Sequence, residues 1–293
     1  MKIKESVSQK IFRVFNGLLM LVLMALTLYP FWYVLCASFS VPSDLVAHSG
    51  LLFKPLGFSL EAYRMVFKTP MILRGYGNTL FVVLVGVTVN MILTAICAYV
   101  LSRKRVMWSN LMTMLITFTM FFSGGLIPLY FTVRDLQLDN TLFALIFPVA
   151  INTFNMIIMR TAFAAVPDSL EESAKLEGAG HLTILFQIVI PLCMPTISVI
   201  MLYYIVQHWN SWFHAMLFLR KRELFPLQLV LRDILMQNES GEMLLGTDAG
   251  ESALASELIK YAVIIVSTVP VLCIYPFIQK YFVKGVMIGA VKE

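Results

Sequence analysis

The sequence predicts an all-α membrane protein with six transmembrane helices. Of its 293 residues, 59% are hydrophobic and only 13% are charged, which is too apolar for an ordinary soluble domain. A helix needs roughly 20 apolar residues to cross a bilayer core of about 30 Å. Six intervals without Asp, Glu, Lys or Arg meet this requirement: 14–43, 75–102, 106–133, 140–159, 178–219 and 261–279.

These intervals predict a single membrane domain, residues 1–293, without internal repeats or linkers. Only a few residues separate the second interval from the third, so we expect these two spans to be antiparallel neighbours. Two longer segments, 39–75 and 220–258, join spans on the opposite side. The six spans are placed at about 14–37, 78–101, 109–133, 141–163, 187–213 and 258–283.

Lysine and arginine near the ends of the spans predict the orientation, since cytoplasmic loops carry an excess of both. Basic residues precede the first span, fill the tight loop at 103–105 and follow the last span. All three groups fall on one side, so both termini are predicted to be cytoplasmic. The opposing signal is the outer cluster Arg220, Lys221 and Arg222. The net charge of +5 is explained by these flanks and gives no reason to expect nucleic acid as a partner.

Two of the predicted spans contain features that an unbroken apolar helix does not need. Gly124, Gly125 and Pro128 are expected to break the outer third of the third span. Asn152 and Asn155 lie one helical turn apart in the fourth. Because an unpaired amide in hydrocarbon is costly, both must face protein or water. They therefore either hydrogen-bond between helices or line a cavity that touches a polar solute.

The fifth charge-free interval ends in a cluster of aromatic and polar side chains. Its candidate pathway residues are Gln207, His208, Trp209, Asn210 and Trp212. Flat rings beside amides and imidazoles suit stacking on, and hydrogen bonding to, a sugar-like ligand. The alternative is an interfacial aromatic belt with polar partners.

The loop at 167–195 is the longest charged segment between two apolar spans. Ser169 is predicted to cap a short helix over Leu170–Glu177, with Glu172 completing a capping box. The pair Glu171 and Lys175 supports this helix, and Gly178 ends it. A helix this short is marginal alone, so we expect it to dock on its own membrane domain or on a partner. A second helix is expected to begin near His181.

Several kinds of chemistry are missing from the sequence. It contains no GxxxxGK[ST] loop for ATP phosphates, no HExxH, no GxSxG and no metal-ligand cluster of histidines. We therefore predict a non-catalytic chain that binds no metal. The six apolar cores also contain no Asp or Glu, which ion-coupled transporters usually keep inside the membrane. The energy for transport would have to come from outside this chain.

The segment from Glu172 to Ala179, followed by Ile190-Pro191 and Pro195, resembles the EAA loop of ABC importer permeases. It departs from the family pattern at Ser173, Glu177 and Ile190, with the spacing intact. Nearly the whole chain resembles the carbohydrate-type permeases, including the maltose-transporter second permease and Gram-positive oligosaccharide permeases. Further residues that carry the resemblance are Tyr29–Trp32, Ala98-Tyr99 with Arg103, Phe122–Pro128 and Asn155–Arg160.

The resemblance implies a type I ABC importer permease fold with a cytoplasmic coupling helix, in a bacterial plasma membrane. It implies a second homologous permease, a dimeric ATPase that binds ATP and Mg²⁺, an extracellular solute-binding protein and a saccharide substrate moved by alternating access. An ATP-independent pore for a polar solute is the alternative. The implied ATPase-docking residues are Glu171, Glu172, Ala174, Glu177, Gly178 and Ala179. The implied ATPase-contacting tail is Gly289, Ala290, Val291 and Lys292, although Glu293 departs from the glycine common at that position.

Overall fold

The computed structural model describes residues 6–103, 106–244, 259–273 and 276, and it describes side chains for all of these except 237–244. Every regular element in these ranges is a helix. The described residues form two compact units. One lies within Met1–Thr69 and Ile234–Thr268, and the other within Pro70–Asp233 and Val269–Glu293. The predicted tail Gly289–Lys292 and the end of the predicted sixth span are outside the described residues.

The first unit contains three helices in its N-terminal part: α1 (Val7–Ser38), α2 (Pro42–Ala47) and α3 (Glu61–Lys68). Helix α1 begins seven residues before the predicted span, because Ser6 and Gln9 form a capping box that continues the helix beyond the apolar interval. Near its other end, Trp32 Nε1 donates to the Phe53 carbonyl at 3.0 Å, and the Tyr29 hydroxyl accepts from the Leu52 N–H at 2.9 Å. These two aromatic residues hold the following loop.

The second unit is built on the long helix α4 (Pro70–Ser102), which begins eight residues before the predicted second span. Helices α1 and α4 are each long and apolar enough to cross a membrane. Between Phe121 and Leu126 the third predicted span changes direction. Helix α5 (Ser109–Phe121) and helix α6 (Leu126–Asp135) meet at 113°, with Gly125 at a φ of +88° that favours glycine. The predicted break is confirmed, and it is a sharp turn.

The fourth and fifth predicted spans are also bent, and these bends were not predicted from the sequence. Two 3₁₀ turns, Leu142–Leu145 and Phe147–Val149, precede α7 (Thr153–Ala164) at an angle of 51°. Pro148 and an extended Asn152 interrupt the helical hydrogen bonds there. The fifth span bends by 91° after Leu192, next to Pro191 and Pro195.

The remaining helices follow in chain order: α8 (Asp168–Leu176), α9 (His181–Ile184), a π-helical turn (Leu185–Val189), α10 (Ile190–Leu192), α11 (Met194–Trp209), α12 (Phe213–Phe218), α13 (Leu227–Leu244) and α14 (Ile259–Cys273). If each bent pair is one span, up to five spans exist by length and composition among the described residues. Helix α14 is a shorter apolar helix within the predicted sixth span. The count of six stays a prediction.

Helix α4 packs against both α7 and α11 in the second unit. Large side chains at these contacts are fully buried, among them Met156, Met159, Phe163, Ile200 and Tyr204. The same hydrophobic core continues to Ala174 of α8 and to Ile184 and Leu185 after it. The short helix in the charged loop is therefore packed on the helices of its own unit.

Candidate functional site

Helix α8 begins and ends for different reasons. It begins at Asp168 after an extended Pro167 (φ −58°, ψ 131°), with acidic residues in its first turn that suit a helix N-terminus, and no side chain caps it. The predicted Ser169 capping box was therefore wrong. At the other end, the Gly178 N–H donates to the Lys175 carbonyl and the Ala179 N–H to the Ala174 carbonyl, at 3.0 and 2.9 Å. With Gly178 at a φ of +85°, this is a Schellman motif, and the predicted stop is confirmed.

The inner face of α8 carries a carboxylate that three donors surround. Arg103 Nη1 lies 2.7 Å from one oxygen of Glu171. Lys175 Nζ lies 2.9 Å from the other oxygen, which the Tyr99 hydroxyl also approaches at 3.2 Å. The Glu171 side chain is only 10% exposed. We call these four residues the Glu171 cluster. It joins α8 to the last turn of α4 and to the residue that follows that turn.

Arg103 makes further contacts within the second unit. Its guanidinium lies over the Tyr99 ring, 4.7 Å from the centroid, and Nη2 donates to the Phe163 carbonyl at 3.3 Å. Burial raises the pKa of Glu171, but the Lys175 hydrogen bond, the Arg103 and Lys175 charges and the Tyr99 hydrogen bond outweigh it, so that pKa is lowered overall. The carboxylate is held in its charged form.

The outer face of α8 has a different character. Glu172 and Glu177 are exposed, and Leu176 is 90% exposed although it is a large aliphatic residue. Among the predicted docking residues, Glu171 and Ala174 are buried against this chain, whereas Glu172, Glu177 and Gly178 face outward. A cavity of about 630 Å³ opens beside the helix, between α4 and α9. Its polar lining includes Asp168, Glu172, Lys175 and His181.

The predicted pathway residues occupy three different environments. Asn152 and Gln207 line a cavity of about 300 Å³ that also contacts Met120 and Phe154. His208 and Trp209 are buried, and Trp209 meets the Tyr76 ring edge-on at 6.4 Å between centroids. Three further pathway residues lie apart from that cavity: Asn155 is buried, Asn210 is exposed, and Trp212 is 40% exposed with Arg232 over its ring.

Asn152 is also the N-cap of α7, since its side chain accepts from the Asn155 N–H at 3.1 Å. Its own N–H donates to the Tyr204 hydroxyl at 3.1 Å, and that hydroxyl shares a 2.7 Å hydrogen bond with Thr94. We call these three residues the Tyr204 network. It provides a partner for the backbone N–H that the bend releases. Tyr204 and Thr94 are missed by the sequence reasoning, because nothing in their spacing indicates a broken helix elsewhere.

A second neutral contact lies nearby on α4. His208 Nε2 is 3.5 Å from Asn90 Oδ1, and the Asn90 amide donates to the Val149 carbonyl at 3.1 Å. The His208 ring fits only because position 86 is glycine. A Cβ there would lie 2.7 Å from Nε2. Within the described ranges, no three His, Cys, Asp or Glu side chains are grouped to hold a metal ion.

Comparisons with known proteins give consistent results. Protein LplC of Bacillus subtilis (strain 168) is 41% identical over 284 residues, which cover 97% of this chain and 95% of LplC. The polygalacturonan/rhamnogalacturonan transport system permease protein YtcP of the same organism is 42% identical over 268 residues, 90% of this chain and 92% of YtcP. No protein-family model matches the chain.

A solved structure is also similar. It is a chain of a bacterial ABC transporter involved in the import of the acidic polysaccharide alginate. The TM-score is 0.87 at 32% identity, and the match covers 96% of this chain and all of that one. The fold described above is therefore shared over nearly the whole length.

Proposed function

The chain belongs to the carbohydrate ABC importer permeases, and from that premise we propose that α8 is the coupling helix through which a partner ATPase drives import. The chain is a membrane-spanning subunit of an ATP-driven sugar importer. The similarity to ABC permeases favours this function over an ATP-independent pore. We further propose one membrane domain with six spans and both termini in the cytoplasm.

The observation that carries the coupling role is the division of α8 into two faces. The inner face is buried on its own unit through Glu171 and Ala174. The outer face presents Leu176, 90% exposed, beside the carboxylates of Glu172 and Glu177. This face presents one aliphatic side chain and two carboxylates that the helix does not bury on its own unit, and we propose that they contact the ATPase. The proposed assembly contains a second homologous permease, an ATPase dimer that binds ATP and Mg²⁺, and an extracellular solute-binding protein.

Docking is tested by co-purification. Leu176→Asp places a charge on the outer face without touching the inner one, and we expect the tagged permease to lose its ATPase. The matched control is Val46→Asp on α2, an aliphatic residue that is 54% exposed in the predicted outer loop. The control should retain the ATPase. Retention by both variants would reject α8 as the docking element.

Sidedness is tested with the same two positions. In a background without the four native cysteines, Val46→Cys should react with a membrane-impermeant maleimide added to intact cells. Leu176→Cys should react only after the cells are opened. The opposite pattern would place α8 outside and overturn the coupling role.

For the substrate we propose an oligosaccharide that contains uronic acid. Two observations support this class: YtcP is named for polygalacturonan and rhamnogalacturonan, and the similar solved transporter imports acidic alginate. The predicted outer surface also carries exposed Arg220, Lys221 and Arg222. A thermal-shift screen of the cognate binding protein should respond to oligogalacturonides. If only neutral maltooligosaccharides stabilise it, the uronate class is wrong and the importer assignment stands.

A further inference from the structure

We propose that Glu171 and Arg103 are positioning residues that hold the coupling helix to the end of α4, so that movement of α8 is passed to the cavity at Asn152 and Gln207. The inference rests on the proposed docking of α8 and concerns the step after it. The resemblance assigned Glu171 to the ATPase interface. Its contacts instead assign it to the interface between α8 and α4.

The Glu171 carboxylate is already bound by donors of its own chain. Both of its oxygens are already occupied, one by Arg103 at 2.7 Å and the other by Lys175 at 2.9 Å together with Tyr99 at 3.2 Å. With the side chain 10% exposed, an ATPase residue would have to displace this chain's own donors to reach it. Glu172, the next residue, is exposed. Of these two adjacent glutamates, Glu171 therefore holds α8 on its own unit, whereas Glu172 is exposed.

Helix α4 also contacts the Tyr204 network. Tyr99 is in the last turn of α4 and Arg103 follows the helix, and Thr94 lies between one and two turns before Tyr99, further into the span. Thr94 bonds to Tyr204, which also accepts from the N–H of Asn152 at the cavity. Helix α4 thus contributes Tyr99 to the Glu171 cluster and Thr94 to the Tyr204 network, and Arg103 follows it directly. A displacement of α8 that pulls on Arg103 moves the same rigid helix that holds the cavity wall.

The contact between α8 and the end of α4 is an ion pair and not an apolar contact. A buried ion pair is weak evidence for stability, because apolar residues of similar volume often stabilise equally well or better. Its advantage is a fixed direction and register. Arg103 meets the carboxylate, the Tyr99 ring and the Phe163 carbonyl at once, which fixes the guanidinium on three sides. Such a contact transmits force along a defined line, whereas an apolar contact can slide.

The experiment uses the complete importer with both permeases, the ATPase and the binding protein, in liposomes. Gln207→Cys in a background without native cysteines reports on the cavity through its rate of reaction with a maleimide. A non-hydrolysable ATP analogue with Mg²⁺ should change this rate when α8 is otherwise unaltered. The variants compared in this background are Glu171→Gln, Arg103→Gln and the double variant. ATPase co-purification and melting temperature are measured alongside.

We expect Glu171→Gln to retain the ATPase but to reduce the nucleotide-driven change in labelling about tenfold, within the usual 5- to 150-fold range of coupling between sites. Arg103→Gln should behave alike. Since a single variant leaves one buried charge without its partner, the double variant should regain melting temperature. It should not regain the labelling response, which a merely structural role would restore.

Three results would overturn the proposal. Loss of the ATPase from Glu171→Gln would return this residue to the docking interface. A normal labelling response in Glu171→Gln, or recovery of both readouts in the double variant, would reduce the pair to a structural contact. If the labelling rate of Gln207→Cys does not change with the nucleotide when α8 is otherwise unaltered, alternating access is rejected, and the positioning role with it. Failure of docking itself is seen separately, as retention of the ATPase by Leu176→Asp.

Discussion

Two polar clusters that each include a residue of α4 solve different problems. At the C-terminal end of α4, the Glu171 cluster joins a carboxylate to Arg103 and Lys175. Within the span, the Tyr204 network and the contact between Asn90 and His208 use only neutral groups. Charged groups are costly inside a bilayer, whereas neutral hydrogen bonds can satisfy the backbone there. The location along one helix therefore decides which chemistry holds the neighbouring element.

The difference also separates two consequences of mutation. The neutral groups in the span fix broken helices in a tightly packed region, so changes there should reduce the stability of the fold. The charged cluster lies beside a 630 Å³ cavity and the exposed face of α8, where packing is looser. Changes there should reduce coupling more than stability. The predictions below test this division.

The largest effect is expected at Gly86. A Cβ at this position would lie 2.7 to 3.0 Å from three atoms of the His208 ring, which is buried and cannot move away. Gly86→Leu should therefore cost about 3 kcal/mol or more, at the upper end for overpacking, and lower the yield of monodisperse protein. The control is Gly77→Leu on the same helix, where nothing lies within 4 Å. Equal melting temperatures for the two variants would show that α4 and α11 are not packed closely.

A smaller loss is expected from Tyr204→Phe. This variant keeps the buried ring but removes the hydroxyl that bonds to Thr94 and to the Asn152 N–H. A buried donor left without a partner costs about 1–3 kcal/mol, so the melting temperature in detergent should fall. Tyr203→Phe is the matched control, since Tyr203 is 39% exposed on the adjacent position. If the melting temperature of Tyr203→Phe falls as far, the Tyr204 network does not hold the bend before α7.

The sequence could predict the parts of the Glu171 cluster that depend on neighbouring residues, but not the contact with a distant one. The ends of α8 depend on local signals, so the stop at Gly178 and the pair of Glu171 with Lys175 were predicted and are confirmed. The capping box was wrong because the helix begins two residues earlier, with Pro167 as the N-cap. The partner of Glu171 is Arg103, directly after α4, which is 68 residues away and has no local signature.

The interior of the spans was harder to predict. Hydropathy placed the apolar intervals but treats a bent pair of helices like a straight one. The break after Gly125 was predicted from glycine and proline, whereas the 51° bend before α7 depends on a hydroxyl supplied by Tyr204, 52 residues later in the chain. The pathway roles of Asn152 and Gln207 stay predictions. That these two share a cavity, while His208 and Trp209 are buried elsewhere, depends on the bends.

A still smaller change in stability is expected at the stop of α8. Gly178 has a φ of +85°, where a residue with a Cβ costs roughly 1–2 kcal/mol, but no atom would clash with that Cβ. Gly178→Ala should therefore lower the melting temperature slightly while it clearly reduces uptake per ATP hydrolysed, because the end of the coupling helix is displaced. Gly180→Ala is the control, since Gly180 has an ordinary φ of −75° and equal space. Normal uptake by Gly178→Ala would contradict the division between stability and coupling.

The smallest effect is expected from acid. The pKa of Glu171 is lowered in the folded protein, because the Lys175 hydrogen bond and the neighbouring cations outweigh the effect of burial. A carboxylate with a lowered pKa contributes stability that is complete above its unfolded value and is lost as the pH falls through the folded value. The melting temperature of the wild type should therefore exceed that of Glu171→Gln by a constant amount near neutral pH. Below the ordinary glutamate pKa of about 4.5 the two melting temperatures should converge.

The neutral network in the span has no carboxylate to protonate, so the difference in melting temperature between wild type and Tyr204→Phe should stay constant over the same range. Convergence of that second pair would show that acid loosens the whole bundle, and the contrast between the two clusters would then be lost.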